Sequence, residues 1–358
     1  MKNLEFTIHG VKFTLASDSP ELLAEQQRVL SSNIRLTTEP HIESVDVFYT
    51  KNKELFDSLA SGFQSHEAID TFIKEQHYKG EYNGQPAFQK DKQEYFLVPN
   101  SQDGFTIVGN PQVDTSAFPI RLMRETLIHK MEERDRVLTH GNGIIVGNEG
   151  ILITNQSGGG KTTLTTKMFE SGEDIGFLSN DKLFCSENNG DPTMGYYPCE
   201  MVYAMGTVKG GKKIGEHFRK HKLVERGTKG VFDLDTVSPG KKLELPTSEL
   251  ESIYPNVRLL KTFSVDRVIV PKINLAAESD YVNISKISPG EAEEILADNT
   301  LTPVDEDQGR TPWVYPTRRS ESDLYSLAGN INRAITQKPA VLVEYGLNAD
   351  PEDIMSRL

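Results

Sequence analysis

The run Gly150-Ile151-Leu152-Ile153-Thr154 passes without a break into Asn155-Gln156-Ser157-Gly158-Gly159-Gly160-Lys161-Thr162-Thr163. An apolar, β-branched run that ends in a glycine cluster predicts a buried strand, and Thr163 to Phe169 reads on as a helix. A strand, a glycine loop and a helix in that order confine the chain to α/β architectures in which loop N–H groups and a helix amino terminus face one point. Such a point attracts anions. The loop fits the phosphate-binding pattern Gly-x-x-x-x-Gly-Lys-Ser/Thr, with Asn155 in place of the first glycine. Asparagine is the non-glycine residue that best tolerates positive φ, so the substitution is expected to keep the loop's shape. In this loop Lys161 is expected to bridge the β- and γ-phosphates as a point charge, and the Thr162 hydroxyl to ligate magnesium. A flexible linker also favours Ser-Gly-Gly-Gly, but it needs neither Lys-Thr at its end nor a strand and a helix around it.

Two further residues are candidates. Gly172 marks a helix stop, and Ile175-Gly176-Phe177-Leu178-Ser179 is a short apolar run ending in Asn180-Asp181. That puts a carboxylate at a strand's carboxyl end, the edge of an open α/β sheet where ligands bind. Asp181 is a candidate to hold the metal or to accept a proton from an attacking hydroxyl. The plainer alternative is a turn-forming Asn-Asp pair before Lys182-Leu183-Phe184. His140 lies just ahead of the strand Ile144-Ile145-Val146, and taken alone it is as readily a surface or core histidine.

At 358 residues the chain predicts about two domains. Lys+Arg 39 against Asp+Glu 52 gives a net charge of −13 without a long basic run, which argues against nucleic acid and anionic membrane as partners. Cys185 and Cys199 make neither a disulfide framework nor a zinc pattern, and both are expected as buried thiols. The amino terminus alternates polar and apolar residues rather than reading as a signal peptide, and no apolar run is long enough to span a membrane. The expected location is cytoplasmic. Residues 1–115 read as a small mixed domain, mostly antiparallel. It opens with a hairpin over Leu4 to Leu15, a helix from Ser19-Pro20, and strands at Val45 to Tyr49, Tyr95 to Val98 and Phe105 to Val108. Residues 116–358 read as the second domain, entered through a helix that a cap-like Ser116 starts. Its Ile120, Met123, Leu127 and Met131 face inward, and Arg121, Glu125, Lys130, Glu132 and Glu133 face water.

His140-Gly141, the loop strand, Gly160-Lys161-Thr162 and the strand ending Asn180-Asp181 together resemble, in order, the catalytic domain of the HPr kinase/phosphorylase family. The helix from Arg121 to Val137 leading into His140 is similar to the broader group of HPr-kinase-related proteins. The resemblance implies an α/β fold shared with phosphoenolpyruvate carboxykinase, and an active site made of His140, Lys161 and Asp181. It also implies nucleotide binding by Asn155 to Thr163, a metal held by Thr162 and Asp181, and ATP and Mg2+ as cofactors. Asn180-Asp181 stands where the family usually has Asp-Asp, which removes one carboxylate; Glu200 is a candidate to complete the metal site. The activity implied is transfer of the γ-phosphate to a hydroxyl, with a small molecule such as an amino acid as acceptor. A peptide or protein serine kinase, or a non-catalytic nucleotide-gated regulatory protein, is the alternative, and a homo-oligomer is possible on the same ground.

The rest of the chain carries weaker signals. Lys209, Lys212, Lys213, Arg219, Lys220 and Lys222, interleaved with Gly206, Gly210, Gly211 and Gly215, read as a basic loop, either closing over an anion or simply solvated. Arg267 and Lys272 flank the strand Val268-Ile269-Val270 and are candidates to reach a nucleotide. Arg310-Thr311-Pro312-Trp313 is a candidate base cap. Ser320 to Ile335 has helical spacing, and Ala340 to Val343 reads as a last strand.

Overall fold

A computed structural model describes residues 2–30, 40–70, 76–101, 103–220, 242–276, 280–302 and 319–358. Lys222 and the segment Arg310 to Trp313 lie outside the described residues. The chain is a mixed α/β protein with several sheets, and it divides into two compact units.

The first unit contains β1 (Lys2–Ile8), β2 (Val11–Ser17), α1 (Pro20–Val29), β3 (Glu43–Thr50), α2 (Lys53–Gly62) and β4 (Gln64–Asp70). β5 (Gln76–Tyr82), β6 (Gln85–Lys90), β7 (Tyr95–Ser101), β8 (Gly104–Gly109) and α3 (Phe118–Glu132) follow. Its strands form one sheet in the order β1-β2-β3-β8-β7-β6-β5-β4, parallel only where β3 meets β2 and β8. The opening hairpin turns on His9 and Gly10, both at positive φ (48° and 76°), the backbone that two-residue hairpin loops require. Ser19 caps α1 as its sequence suggested, accepting the Leu22 N–H at 3.2 Å.

Three expectations change at α3. Ser116 does not cap it; Ala117 takes the N-cap place without a side-chain hydrogen bond. The helix ends at Glu132 rather than running to Val137, because Asp135 turns the backbone to φ 58° and Arg136–Thr139 continues as a strand. Nor is all of its charged face in water: Arg121 is exposed as expected, but Lys130 and Glu132 are buried. Lys130, 1 % exposed, is held by Glu43 at 2.7 Å and Asp103 at 2.9 Å, and His129 Nδ1 lies 3.0 Å from Glu132. Paired charges can be buried where single ones cannot. α3 packs on β2 and β3, and the chain passes from the first compact unit to the second at Arg134/Asp135.

The second unit comprises Asp135–Thr302 and Glu321–Leu358. Its strands are β9 (Arg136–Thr139), β10 (Gly141–Val146), β11 (Glu149–Thr154), β12 (Ile175–Ser179), β13 (Leu183–Asn188), β14 (Asp191–Tyr196), β15 (Met201–Ala204) and β16 (Lys242–Leu245). β17 (Val257–Leu259), β18 (Thr262–Ser264), β19 (Arg267–Ile273), β20 (Val282–Lys286) and β21 (Ala340–Tyr345) complete them. Its helices are α4 (Lys161–Glu170), α5 (Met205–Gly210), α6 (Lys212–Lys220), α7 (Leu250–Ile253), α8 (Pro289–Asn299), α9 (Glu321–Thr336) and α10 (Pro351–Arg357). α10 follows the strand expected to be last.

The main sheet has the order β17-β12-β10-β11-β19-β21-β20. β11, β19 and β21 run parallel, and β10 lies antiparallel between β11 and β12. β11 and β12 therefore end on the same edge of the sheet, and β10 begins there. Ile151, Ile153, Ile144, Phe177, Ile269 and Val343 pack with Leu164, Met168 and Phe169 of α4 into one core. Strands buried on both faces explain the unbroken apolar runs. β18-β14-β13-β9 form a second sheet, and β15-β16 a ribbon.

The basic stretch at 205–220 is two helices rather than a loop. Val208, Ile214 and Phe218 are buried in the same core, and Glu170 accepts the N–H groups of Lys212 and Lys213 at 3.0 and 2.9 Å. Cys185 is buried with its thiol pushed up to about 12 by burial, whereas Cys199 is only partly buried. Among the described residues no helix is long and apolar enough to cross a membrane.

Candidate active site

The glycine loop joins β11 to α4, and its backbone departs from ordinary space where glycine stands. Gly158 and Gly160 have φ of 84° and 97°. A Cβ at Gly160 would lie 2.9 Å from Tyr345 Oη and 3.0 Å from Ile273, so conformation and space both require glycine there. Tyr345, at the end of β21, donates its hydroxyl to Gly160 O at 3.0 Å and pins the start of α4. Tyr345→Phe should cost about 1 kcal/mol, the ordinary worth of one hydrogen bond. Urea unfolding of both proteins measures it, and equal midpoints would deny the pin.

Asn155 works differently from the expectation. It is not among the residues at positive φ; instead its Nδ2 donates to Pro271 O on β19 at 2.7 Å and its Oδ1 accepts the Gln156 N–H at 2.7 Å. The side chain ties the loop to the neighbouring strand, which a glycine would not do. Gln156 O accepts the Gly159 N–H at 3.0 Å, and Ser157 is exposed. Lys161, 6 % exposed, donates to Asn155 O at 2.7 Å and Gln156 O at 3.2 Å. Burial, opposed by the Asp181 charge and reinforced by that of Lys242, pushes its ammonium down to about 8. Thr163 meets Thr207 of α5, hydroxyl to hydroxyl at 2.7 Å.

The register brings the other candidates to the same edge. Gly141 pairs with Thr154 and Gly143 with Ser179, so His140 and Asp181 flank the loop strand's end. His140 Nε2 lies 3.0 Å from Asp181 Oδ1, and its Nδ1 3.2 Å from Asn299 Oδ1. Asn299 donates its Nδ2 to Ile295 O at 2.7 Å, which fixes which amide atom faces the ring. Both ring nitrogens thus face side-chain oxygens, which fixes the plane of the ring. Burial works against the Asp181 charge, but His140 first, then Lys182 and Lys161, outweigh it and hold the carboxyl at about 2.

Asp181 has φ 66°, in the left-handed region, with its N–H on Asn142 Oδ1 at 2.8 Å. Asn142 in turn donates to Thr165 of α4 at 2.8 Å. Aspartate is among the non-glycine residues that enter this region most readily, and the buried Asn142 amide holds it there. Thr162 Oγ1 donates to Asn180 Oδ1 at 3.1 Å, while Asn180 Nδ2 is buried with no hydrogen-bond partner.

Not every candidate joins this group. Arg267 pairs in register with Ile151, at the start of β11 and away from the loop, and is engaged by Glu149 and by the Leu358 carbonyl. Lys272 stands at the loop's edge of β19, but Glu344 holds it at 3.0 Å. Glu200 follows Cys199, whose Sγ–H donates to Asn180 O at 2.8 Å. Among the described residues no three His, Cys, Asp or Glu side chains come together as a metal site. Sequence reading missed Asn142, Asn299 and Tyr345. Asn142 carried a signal, a polar residue in an otherwise apolar strand; Asn299, far along the chain, carried none.

No protein-family model matches the sequence, and no curated protein matches it. Among solved structures the chain is similar to the HPr(Ser) kinase/phosphatase from Coxiella burnetii, at 11 % identity over 62 % of this chain and 94 % of that one. The TM-score is 0.24, a likeness too slight to carry an argument.

Proposed function

We propose that the second unit is an ATP- and Mg2+-dependent phosphotransferase of the HPr-kinase-related type, passing the γ-phosphate to a hydroxyl of a small molecule or peptide. The observation that carries this reading is one sheet edge shared by the glycine loop, Lys161, Thr162 and the pair His140–Asp181. A loop that merely joined two elements would need neither a buried lysine nor an aspartate held in left-handed backbone beside it.

The residues fit the groups that such a reaction needs. The first-turn N–H groups of α4 lack intrahelical acceptors and face the loop, where phosphate oxygens serve them. The Thr162 hydroxyl and the Asp181 carboxylate are the oxygens to hold magnesium, an ion commonly bound by one or two protein oxygens plus phosphates. That ion supplies neutralisation of phosphate charge. In the transfer the acceptor oxygen bonds to the γ-phosphorus as the bond to the β-phosphate bridging oxygen breaks, and Lys161 stabilises the charge that builds on the leaving group. Asp181 accepts the acceptor's hydroxyl proton in a hydrogen bond. A carboxylate held at about 2 is a weak base, so the proton leaves late, as a loose phosphoryl transition state allows. His140, with both nitrogens engaged, orients that carboxylate rather than taking the proton itself.

Phosphorus NMR with magnesium, ATP and pooled metabolites or peptides tests the reading. A phosphomonoester signal that requires the acceptor pool supports it; ATP unchanged with every acceptor favours the nucleotide-gated regulatory protein. Asn180 is the observation on that side, since a neutral amide stands on Thr162 where a second carboxylate would hold metal. His140→Ala is expected to slow transfer by at least about tenfold, the worth of one charge-assisted hydrogen bond, with nucleotide affinity unchanged. A fall in affinity instead would make His140 part of the binding site.

A further inference from the structure

On the side of the glycine loop away from Asp181, two large apolar side chains stand in water. In the main sheet, His140 at the start of β10 and Asp181 past the end of β12 lie on one side of β11, and β19 and β21 end on the other. Three hydrogen bonds hold these strands, and the segment after β21, against the loop and its helix. Asn155 Nδ2 donates to Pro271 O at 2.7 Å, Tyr345 Oη to Gly160 O at 3.0 Å, and Lys167 Nζ of α4 to Ala349 O at 2.8 Å. Leu347 lies midway between Tyr345 and Ala349, so the chain is anchored to the start of α4 on one side of it and to the middle of α4 on the other. Leu275 follows Ile273 by two residues, a reach of at most about 7 Å. Ile273 is the side chain that a Cβ at Gly160 would approach to 3.0 Å. The turn carrying Leu275 is fixed: the Asn274 N–H donates to Tyr345 O at 2.9 Å, and its side chain donates to Glu344 at 3.2 Å and accepts the Ala276 N–H at 3.0 Å. Leu275 is 78 % exposed and Leu347 46 %, two of the three large apolar side chains that the described part of the second unit exposes. A single exposed leucine is ordinary. Two on fixed backbone at the rim of one loop are a surface that a ligand can cover.

We propose that Leu275 and Leu347 are the base-binding residues of the nucleotide site, against which the adenine ring lies in apolar contact. The direction follows from the proposed transfer. With the γ-phosphorus beside Asp181, the α-phosphate, ribose and base extend from the loop the other way, toward the carboxyl ends of β19 and β21, the sheet edge at which α/β proteins take ligands. A planar ring that covers two leucines removes apolar area from water on both partners. The occupant is a base rather than a protein because the patch is two side chains, far short of a stable protein interface, and is continuous with a loop whose N–H groups serve phosphate. The inference rests on the phosphotransferase reading for the presence of a nucleotide and adds to it where the base is held. No bond is made or broken at either leucine.

Calorimetric titration of the full chain with magnesium and either a non-hydrolysable ATP analogue or inorganic tripolyphosphate tests it. Tripolyphosphate offers the same phosphate chain without ribose and base. The proteins are wild type, Leu275→Gln, Leu347→Gln, the double variant and Ile42→Gln, a control in the first unit at a side chain also 78 % exposed. Wild type is expected to bind the ATP analogue at least about tenfold more tightly than tripolyphosphate, and the double variant to lose most of that margin. Each single variant should lose part of it, Ile42→Gln none, and tripolyphosphate affinity should stay within about twofold throughout. Retained tripolyphosphate binding also shows that each variant keeps a folded loop. No margin in wild type, a margin that survives in the double variant, or equal weakening of both ligands overturns the base site and leaves the phosphotransferase reading standing. Self-association of wild type in sedimentation that the double variant loses, with the margin intact, overturns it too and gives the leucines to a contact between copies of the chain. Wild type binding neither ligand overturns both readings.

Discussion

Asp181→Asn is expected to bind nucleotide as the wild type does and to transfer phosphate at least about a hundredfold more slowly, the lower range of what a positioned proton acceptor contributes. The substitution removes charge and little else. Asparagine is at home at the φ of 66° that Asp181 adopts, and its Oδ1 can still face His140 Nε2, so the local backbone keeps its bonds to Asn142 and Gly141. A rate that survives the change would make Asp181 a turn residue. Lost nucleotide binding would make it chiefly a metal or phosphate partner. The pH profile gives an independent reading. With its carboxyl held at about 2 by His140, Lys182 and Lys161 against the effect of burial, Asp181 stays ionised far below neutrality. Any loss of activity between pH 7 and pH 5 must then come from another group, so Asp181→Asn should lower the plateau without abolishing that limb.

The legible part of this protein was local. Strand, glycine loop and helix at 150–170 announced themselves because each is dictated by its own residues: β-branched apolar side chains, positive-φ glycines, and a lysine and threonine that open the helix. Asp181 was legible as a strand-end carboxylate for the same reason. The pairing of His140 with Asp181 was suggested only by resemblance, since it depends on β10 running antiparallel between β11 and β12, a choice no single stretch encodes. Long-range partners also defeated the amphipathic reading of α3. Lys130 and Glu132 look like solvent residues in a helical pattern, and they are buried because Glu43, Asp103 and His129 are waiting for them. Asn155 shows the reverse case. The sequence justified an asparagine by backbone tolerance, but the fold uses its side chain, which reaches a carbonyl more than a hundred residues away.

Lys161 carries the other large effect, and it has opposite signs for stability and for binding. The fold holds this side chain 6 % exposed and pushes its ammonium down to about 8, from about 10.4 in an unfolded chain. Below pH 8 the folded protein thus bears a cost on the order of 3 kcal/mol for a charge that water would solvate better. The unfolded chain binds more protons than the folded one between about pH 8 and pH 10.4, so this residue makes stability rise with pH across that window and contributes no further change above it. Lys161→Met removes the charge and keeps an unbranched apolar stem. It should unfold at higher urea than wild type at pH 7, lose the advantage as pH approaches 10, and bind nucleotide at least about a hundredfold more weakly, as the loss of charge-assisted bonds to phosphate requires. A bound polyphosphate must restore the proton to Lys161, so wild type near pH 9 should take up protons on binding nucleotide and Lys161→Met should not. Calorimetry in buffers of different ionisation enthalpy reads that uptake. A variant less stable than wild type at pH 7 would mean that the bonds from Lys161 to Asn155 O and Gln156 O outweigh the burial of its charge. The lysine would then be a brace of the loop before it is a ligand of phosphate.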